Sequence, residues 1–293
     1  MSEPAGVIHD LGFRHYTGPR LGRRQVVRAL FTESALGAYG LGRSTRSKVM
    51  PFLLLVAVTL PALIVVVVMV LTGAQQLPIG YAEYPLVVFP LLSLYVAGQA
   101  PALVCRDLRF RVVSLYFSRP LRRADYVRAK LAALTAAVLV LTALPVLVLY
   151  AGAVLAELPF WQQTQQAAVA LAGCALLAVL LAGLALVIAA VTPRRGLGVA
   201  AVITVLVVLT AVQGALQVLG EEQGRPALAG WSGLLTPFTI VSGLQRWAFR
   251  TSFVDAPTPP GALGGPVYLL VALGLAAACY GLLVLRYRRV SVS

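Results

Sequence analysis

From Leu131 to Ala156 the chain carries no charged residue, and five other stretches share that property: 49–71, 85–105, 167–191, 199–219 and 266–285. About 20 residues of helix cross the hydrocarbon of a bilayer, so runs of this length and character read as membrane spans. Six such runs make the expected fold class all-α, a polytopic membrane protein with six transmembrane helices. A chain of 293 residues would otherwise suit one or two soluble domains. Its 59% apolar content, 12% charge and mean hydropathy of +0.87 exclude that class.

Charge then orients the spans. The tail 1–48, the loop 106–130, the turn 192–198 and the segment 286–293 hold 21 of the 24 Arg and Lys residues. Only Arg225, Arg246 and Arg250 fall on the opposite side. The positive-inside rule places both termini in the cytoplasm. The basic tail carries no apolar stretch followed by a small-residue cleavage site, so no cleaved signal peptide is expected. Within it Val27, Leu30, Phe31, Ser34 and Ala38 form one helical stripe, with Arg28 off it. That pattern predicts an amphipathic helix on the inner leaflet, with membrane lipid rather than nucleic acid as its partner. His9 and His15 lack Cys or acidic companions at ligand spacing, and no metal is expected. Cys105, Cys174 and Cys279 sit in or at the end of apolar runs, where they imply no disulfide or zinc framework.

Within the spans, Pro51 falls in the first turn of the first, while Pro61 and Pro145 interrupt the first and third. Small residues at Ala168, Ala172, Ala175 and Ala182, and at Gly274, Ala278 and Gly281, predict seams of close helix approach. Between spans five and six, Thr236 is placed to cap a short external helix with Pro237 at its first position. The stretch 255–265 beyond it reads as a flexible or extended linker. Polar residues inside the spans are few. Tyr95 and Gln99 share a face of span two, and Thr210, Gln213 and Gln217 share a face of span five. Either they bond one helix to another or they line a translocation path, and the two readings stay open on the residues alone. No span holds an Asp, Glu, His, Lys or Arg, so ion-coupled transport lacks its usual groups.

The loop 106–130 is the long charged segment between two apolar runs, with eight Arg or Lys against Asp107 and Asp125. Its interior predicts a short helix over 112–117, broken by Ser118, Arg119 and Pro120, since proline lacks an N–H and restricts the residue before it. Asp125 is placed to cap the next helix. The order of Asp107, Tyr116, Ser118, Arg119, Pro120, Arg123, Tyr126 and Lys130 resembles the cytoplasmic loop of ABC-2 type membrane permeases. The family more often has a glutamate near Asp107 and an Ile or Val where this chain has Leu121. The resemblance covers the six spans but not the first forty or so residues. It implies a cytoplasmic coupling helix between spans two and three that docks on a separate ABC ATPase subunit. Coupling then falls to Asp107, Arg109, Ser118, Arg119, Pro120, Arg122, Arg123, Asp125 and Tyr126. It also implies a second copy or a related permease as partner, paired around spans two and five, and export across the bacterial plasma membrane. The high ratio of Arg to Lys, 22 to 2, fits a GC-rich bacterial source.

Neither Lys48 nor Lys130 follows a glycine, so the chain has no P-loop. It is therefore expected not to be an enzyme and to bind no cofactor, with ATP and magnesium on the partner. The other reading is a non-transporting scaffold or sensor subunit whose basic tail does the work. The topology is testable directly. Reporter tags at residues 1 and 293 are expected to be cytoplasmic and a tag within 250–262 external; an external signal from either terminus refutes the six-span arrangement.

Overall fold

The computed structural model describes residues 18, 22–42, 44–74, 76–109, 121–192, 194–251, 253 and 256–289, without the side chains of Arg106, Leu108, Arg109 and Arg289. Among these residues every regular element is a helix. In order they are α1 (Arg23–Ala38), α2 (Thr45–Thr72), α3 (Tyr84–Val87), α4 (Phe89–Arg109) and α5 (Arg123–Leu155). There follow α6 (Phe160–Val191), α7 (Arg195–Glu222), α8 (Pro226–Ser232), α9 (Pro237–Phe249) and α10 (Gly261–Arg289). Five of them, α2, α5, α6, α7 and α10, are long and apolar enough to cross a membrane. They mark a multi-pass membrane protein. The second expected span is a broken element. Pro85 and Pro90 flank the junction at Val88, leaving a 17-residue apolar helix, Phe89–Cys105. At 1.5 Å per residue that helix alone reaches about 25 Å, short of a typical hydrocarbon core.

The side chains are arranged for lipid, not water. On α2, Leu53, Val56, Leu60, Ile64, Val67 and Leu71 stay about half exposed or more, while Leu54, Val58, Ala62 and Met69 face the protein. Such a continuous apolar surface has no place on a soluble monomer. The centre is α6, whose apolar window is 61% buried against 17–22% for α2, α7 and α10. It touches α4, α5, α7, α9 and α10. The small residues that allow this are Ala167, Ala170, Gly173, Ala178, Ala182, Ala185 and Ala189. The expected seam is therefore corrected: Ala168 and Ala172 are exposed and only Ala182 of the four is buried. A helix apolar on every side has no polar face to fix its rotation, so its partners decide it. On α10, likewise, Gly274 and Ala278 are exposed, and Gly183 of α6 receives Cys279 instead.

Other expectations shift by a turn. Because α2 begins at Thr45, Pro51 lies inside it with Pro61, rather than in its first turn. Because α10 begins at Gly261, the stretch 261–265 is helix, not linker, and only 256–260 runs without regular structure. Gly264 lies against Pro259 and Pro260, and Gly265 against the Trp247 indole, so these glycines serve close approach rather than flexibility. The capping of α9 is as read from the sequence: the Thr239 N–H donates to Thr236 Oγ1 at 3.1 Å, with Pro237 next in the chain. The helix before it, α8, was not anticipated. It opens on Pro226 and meets α9 at 119°, a bent pair that together has the length of one more span.

The stripe on α1 is used as expected in pattern but not in partner. Leu30, Ser34 and Ala38 are buried, and α1 lies on α5, with the Tyr39 hydroxyl donating to the Ala137 carbonyl at 2.7 Å. Burial pushes the Tyr39 phenol up to about 12, so it stays a donor at any physiological pH.

The α2 and α5 contact offers a test of this packing. A Cβ at Gly152 would fall inside Val66, whereas one at Gly214 meets nothing within 4 Å. Gly152→Ala is expected to lower stability by about 1–3 kcal/mol, read as unfolding temperature in one detergent. Gly214→Ala in the same assay should leave it unchanged or slightly raised.

Candidate functional site

The basic end of the molecule is built from helix termini. The end of α4, the start of α5 and the ends of α6 and α10 meet there, bringing Arg123, Arg128, Lys130 and Arg286 within reach of one another's helices. The last carbonyls of a helix lack intrahelical partners and carry partial negative charge, so cations settle on them. Arg286 Nε donates to the Ala190 carbonyl of α6 at 3.2 Å. Arg123 Nη1 donates to the Arg288 carbonyl of α10 at 3.2 Å.

Between these arginines lies a buried clasp. Lys130 Nζ is 3.0 Å from Asp107 Oδ2 and donates to the Leu103 carbonyl, also at 3.0 Å. The Tyr126 hydroxyl donates to the same Asp107 oxygen at 2.7 Å. The Tyr126 ring packs edge-on against Tyr287 of α10, centroids 4.9 Å apart, and Lys130 sits 5.6 Å from its centre. Burying an ammonium and a carboxylate is costly unless each is paired and hydrogen-bonded. Here each has a second polar partner, and the result joins α4 to α5 across the two ends of the loop 106–130.

Outside the clasp, Asp125 pairs with Arg23 of α1, Arg23 Nη2 to Asp125 Oδ2 being 2.6 Å. The hydrogen bond to that carboxylate raises the Arg23 guanidinium above its ordinary value. Asp125 does not cap α5 as its first flanking residue. It sits in the first turn, and its carboxylate accepts the Arg122 backbone N–H at 3.3 Å, because α5 starts at Arg123. Of the residues assigned to coupling, then, Asp107, Arg123, Asp125 and Tyr126 are engaged within the chain and Tyr126 is fully buried. Arg122 is exposed and Arg123 half-exposed. The Arg109 side chain, Ser118, Arg119, Pro120 and the helix expected over 112–117 lie outside the described residues, as do His9 and His15. The Lys130 and Asp107 pair was legible as a pattern, but not as a contact; a single lysine opening an otherwise uncharged run was its only signal.

The polar residues within the spans separate into two groups. Tyr95 and Gln99 turn towards α1 and α2: the Tyr95 hydroxyl is 3.4 Å from the Ala38 carbonyl, and Gln99 Nε2 is 3.7 Å from Met50 Sδ. On α7, Thr210 donates to the Leu206 carbonyl at 2.8 Å, Gln213 Nε2 to Gln217 Oε1 at 2.8 Å, and Gln217 Nε2 to Glu221 Oε1 at 3.2 Å. Among the described residues no hydrogen bond joins one group to the other. The α7 ladder leads from the buried Gln213 to a cleft of about 770 Å³ at the end away from the basic cluster, lined by Gln217, Glu221, Arg246 and the 256–261 strap. Arg246 fastens that strap, donating to the carbonyls of Ala256 and Phe253 at 2.7 and 2.6 Å and to the Thr258 hydroxyl. This cleft has no signal in the local sequence, since its walls come from α8 and from a strap whose composition reads as linker.

No protein-family model matches the chain, and no curated protein matches it.

The clasp can be dissected. Lys130→Met leaves the Asp107 carboxylate without its ion partner and is expected to cost about 3 kcal/mol. Lys130→Met with Asp107→Asn removes both charges and should recover a large part of that loss. The two single and one double variant form a cycle read by thermal unfolding; simple additivity would show that the pair is not coupled.

Proposed function

We propose that this chain is the transmembrane permease subunit of an ATP-driven ABC-2 type transporter, working as an exporter with both termini cytoplasmic. A separate ATPase binds the loop 106–130, and ATP and magnesium belong to that partner. The observation that carries the reading is the clasp. A loop whose two ends are fastened to each other, and through Tyr126 and Lys130 to α4, α5 and α10, passes a displacement directly into three helices. A freely tethered loop would absorb the same displacement. On this reading Asp107, Asp125 and Tyr126 position the loop from within, and Arg119, Arg122 and Arg123 meet the partner. The polar ladder of Thr210, Gln213 and Gln217 belongs to the translocation path and delivers substrate to the cleft beside Glu221. A second copy or a related permease completes the path.

The test is coupling itself. Arg119→Glu with Arg123→Glu is expected to insert and unfold like the wild type, yet to lose binding and stimulation of the partner ATPase. The purified chain alone should hydrolyse no ATP. An ATPase still fully stimulated by the double variant removes these arginines from coupling. Loss of membrane insertion would show that the loop sets topology and nothing more.

A further inference from the structure

A second basic feature stands apart from the clasp. Between α1 and the first turns of α5 opens a cleft of about 700 Å³, lined by Arg23, Arg24, Val27, Arg28, Asp125 and Arg128. Its single carboxylate is already held by Arg23 at 2.6 Å. Arg24 and Arg28 lie one turn apart on α1, both exposed, and neither has an acidic partner among the described residues. Arg128 faces them from α5, aimed by its Nε bond to the Tyr280 hydroxyl at 3.1 Å and standing 6.0 Å from that ring's centre. Arg128 shares the field of Asp125, which Arg23 already holds, so Arg24, Arg28 and Arg128 together leave the cleft with excess positive charge that an anion would offset, and guanidinium suits phosphate oxygens in particular.

What the cleft adjoins decides which phosphate. Ala132, Thr135 and Leu139 follow Arg128 at i+4, i+7 and i+11, on the same face of α5. Ala132 is exposed and Thr135 and Leu139 are partly buried, so this face is a track left partly open. It starts where the charged turn of α5 ends and its uncharged run begins, at Leu131. A soluble phosphate or an acidic protein segment makes no use of such a track. A phospholipid does, with its phosphate among the arginines and an acyl chain along α5. A choline headgroup would add a cation where three already crowd, which selects a lipid of net negative charge.

The geometry points to an anionic phospholipid site in this cleft, with Arg24, Arg28 and Arg128 holding the phosphodiester. This binding does not depend on the transport reading. It would fix α1 to the inner surface of the bilayer along the edge of its packing stripe, where Val27 borders the cleft.

The experiment uses the full chain in detergent, with phosphatidylglycerol or phosphatidylcholine added and the retained lipid counted by native mass spectrometry. Wild type should hold one phosphatidylglycerol in preference to phosphatidylcholine. Arg24→Gln with Arg28→Gln should weaken that binding about tenfold, since each basic group near anionic lipid contributes measurably. Arg225→Gln with Arg250→Gln removes the same charge at the far end and should leave it unchanged. Arg24→Lys with Arg28→Lys should restore part of the loss, and Arg28→Gln alone serves if the double variant does not accumulate. Equal retention of the two lipids, or an equal loss in the far-end control, overturns the proposal. Competition by free glycerol phosphate at lipid-like concentrations would make this a soluble-phosphate site and overturn it too. Unchanged lipid binding in the double variant, with ATPase binding lost, would assign the cleft to a protein.

Discussion

The packing of α6 is the constraint on which the rest of the arrangement hangs. A helix in contact with five others needs short side chains at many of its contact positions, and α6 buries Ala167, Ala170, Gly173, Ala178, Ala182, Gly183, Ala185, Ala189 and Ala190 among its leucines. In lipid there is little hydrophobic gain from bringing two apolar helices together, so close packing and a few polar bonds must hold them. The polar bonds here are sparse and sit at the helix ends. At one end Gln163 of α6 accepts from Tyr81 and Thr164 meets Tyr150, while Gln245 of α9 donates to the Val169 carbonyl. At the other, Arg286 and Cys105 donate to the last carbonyls of α6 and its cap. At the centre the Cys174 thiol donates to the Thr142 carbonyl of α5 at 3.8 Å, and the rest is van der Waals contact.

That division explains why the charged residues of this chain are so unequally engaged. At the basic end, cations are recruited to helix C-termini, where partial negative charge and unpaired carbonyls accumulate. Lys130 differs in that it enters the protein and carries Asp107 and Tyr126 with it. Once those three are fixed, the two ends of the loop 106–130 cannot separate without breaking a buried ion pair. The ends of α4 and α5 are thereby held together at the two ends of the loop. Arg246 does the equivalent work at the far end, where its hydrogen bonds to Phe253, Ala256 and Thr258 hold the chain beside the cleft at Gln217 and Glu221.

Much of this was written in the local sequence. Uncharged runs announce long apolar helices because no polar side chain interrupts the hydrophobic stretch. Thr236 before Pro237 announces a helix start because both signals are strictly local, and the α1 stripe announces its buried face because polar residues surround it. The break at Pro85 to Pro90 also had its cause in plain view, although the shortening of the second span did not follow until Val88 was seen as a junction. Glycine-rich 261–265, by contrast, was misleading. Its glycines make room for Trp247, Pro259 and Pro260, and that need exists only once those residues are neighbours.

By itself, then, the sequence determined the helical class, the lengths of the five helices long enough to cross a membrane, the segregation of positive charge and the start of α9, since each follows from near neighbours or from summed composition. Tertiary structure alone decided which face of α6 and α10 is buried, that Lys130 finds Asp107, that Arg23 finds Asp125, and that Tyr95 and Gln99 turn away from the Gln213 ladder. The physical reason is one and the same. A helix that is apolar all round carries no local information about its rotation, and a charge pair between residues twenty or a hundred positions apart exists only after the helices have docked.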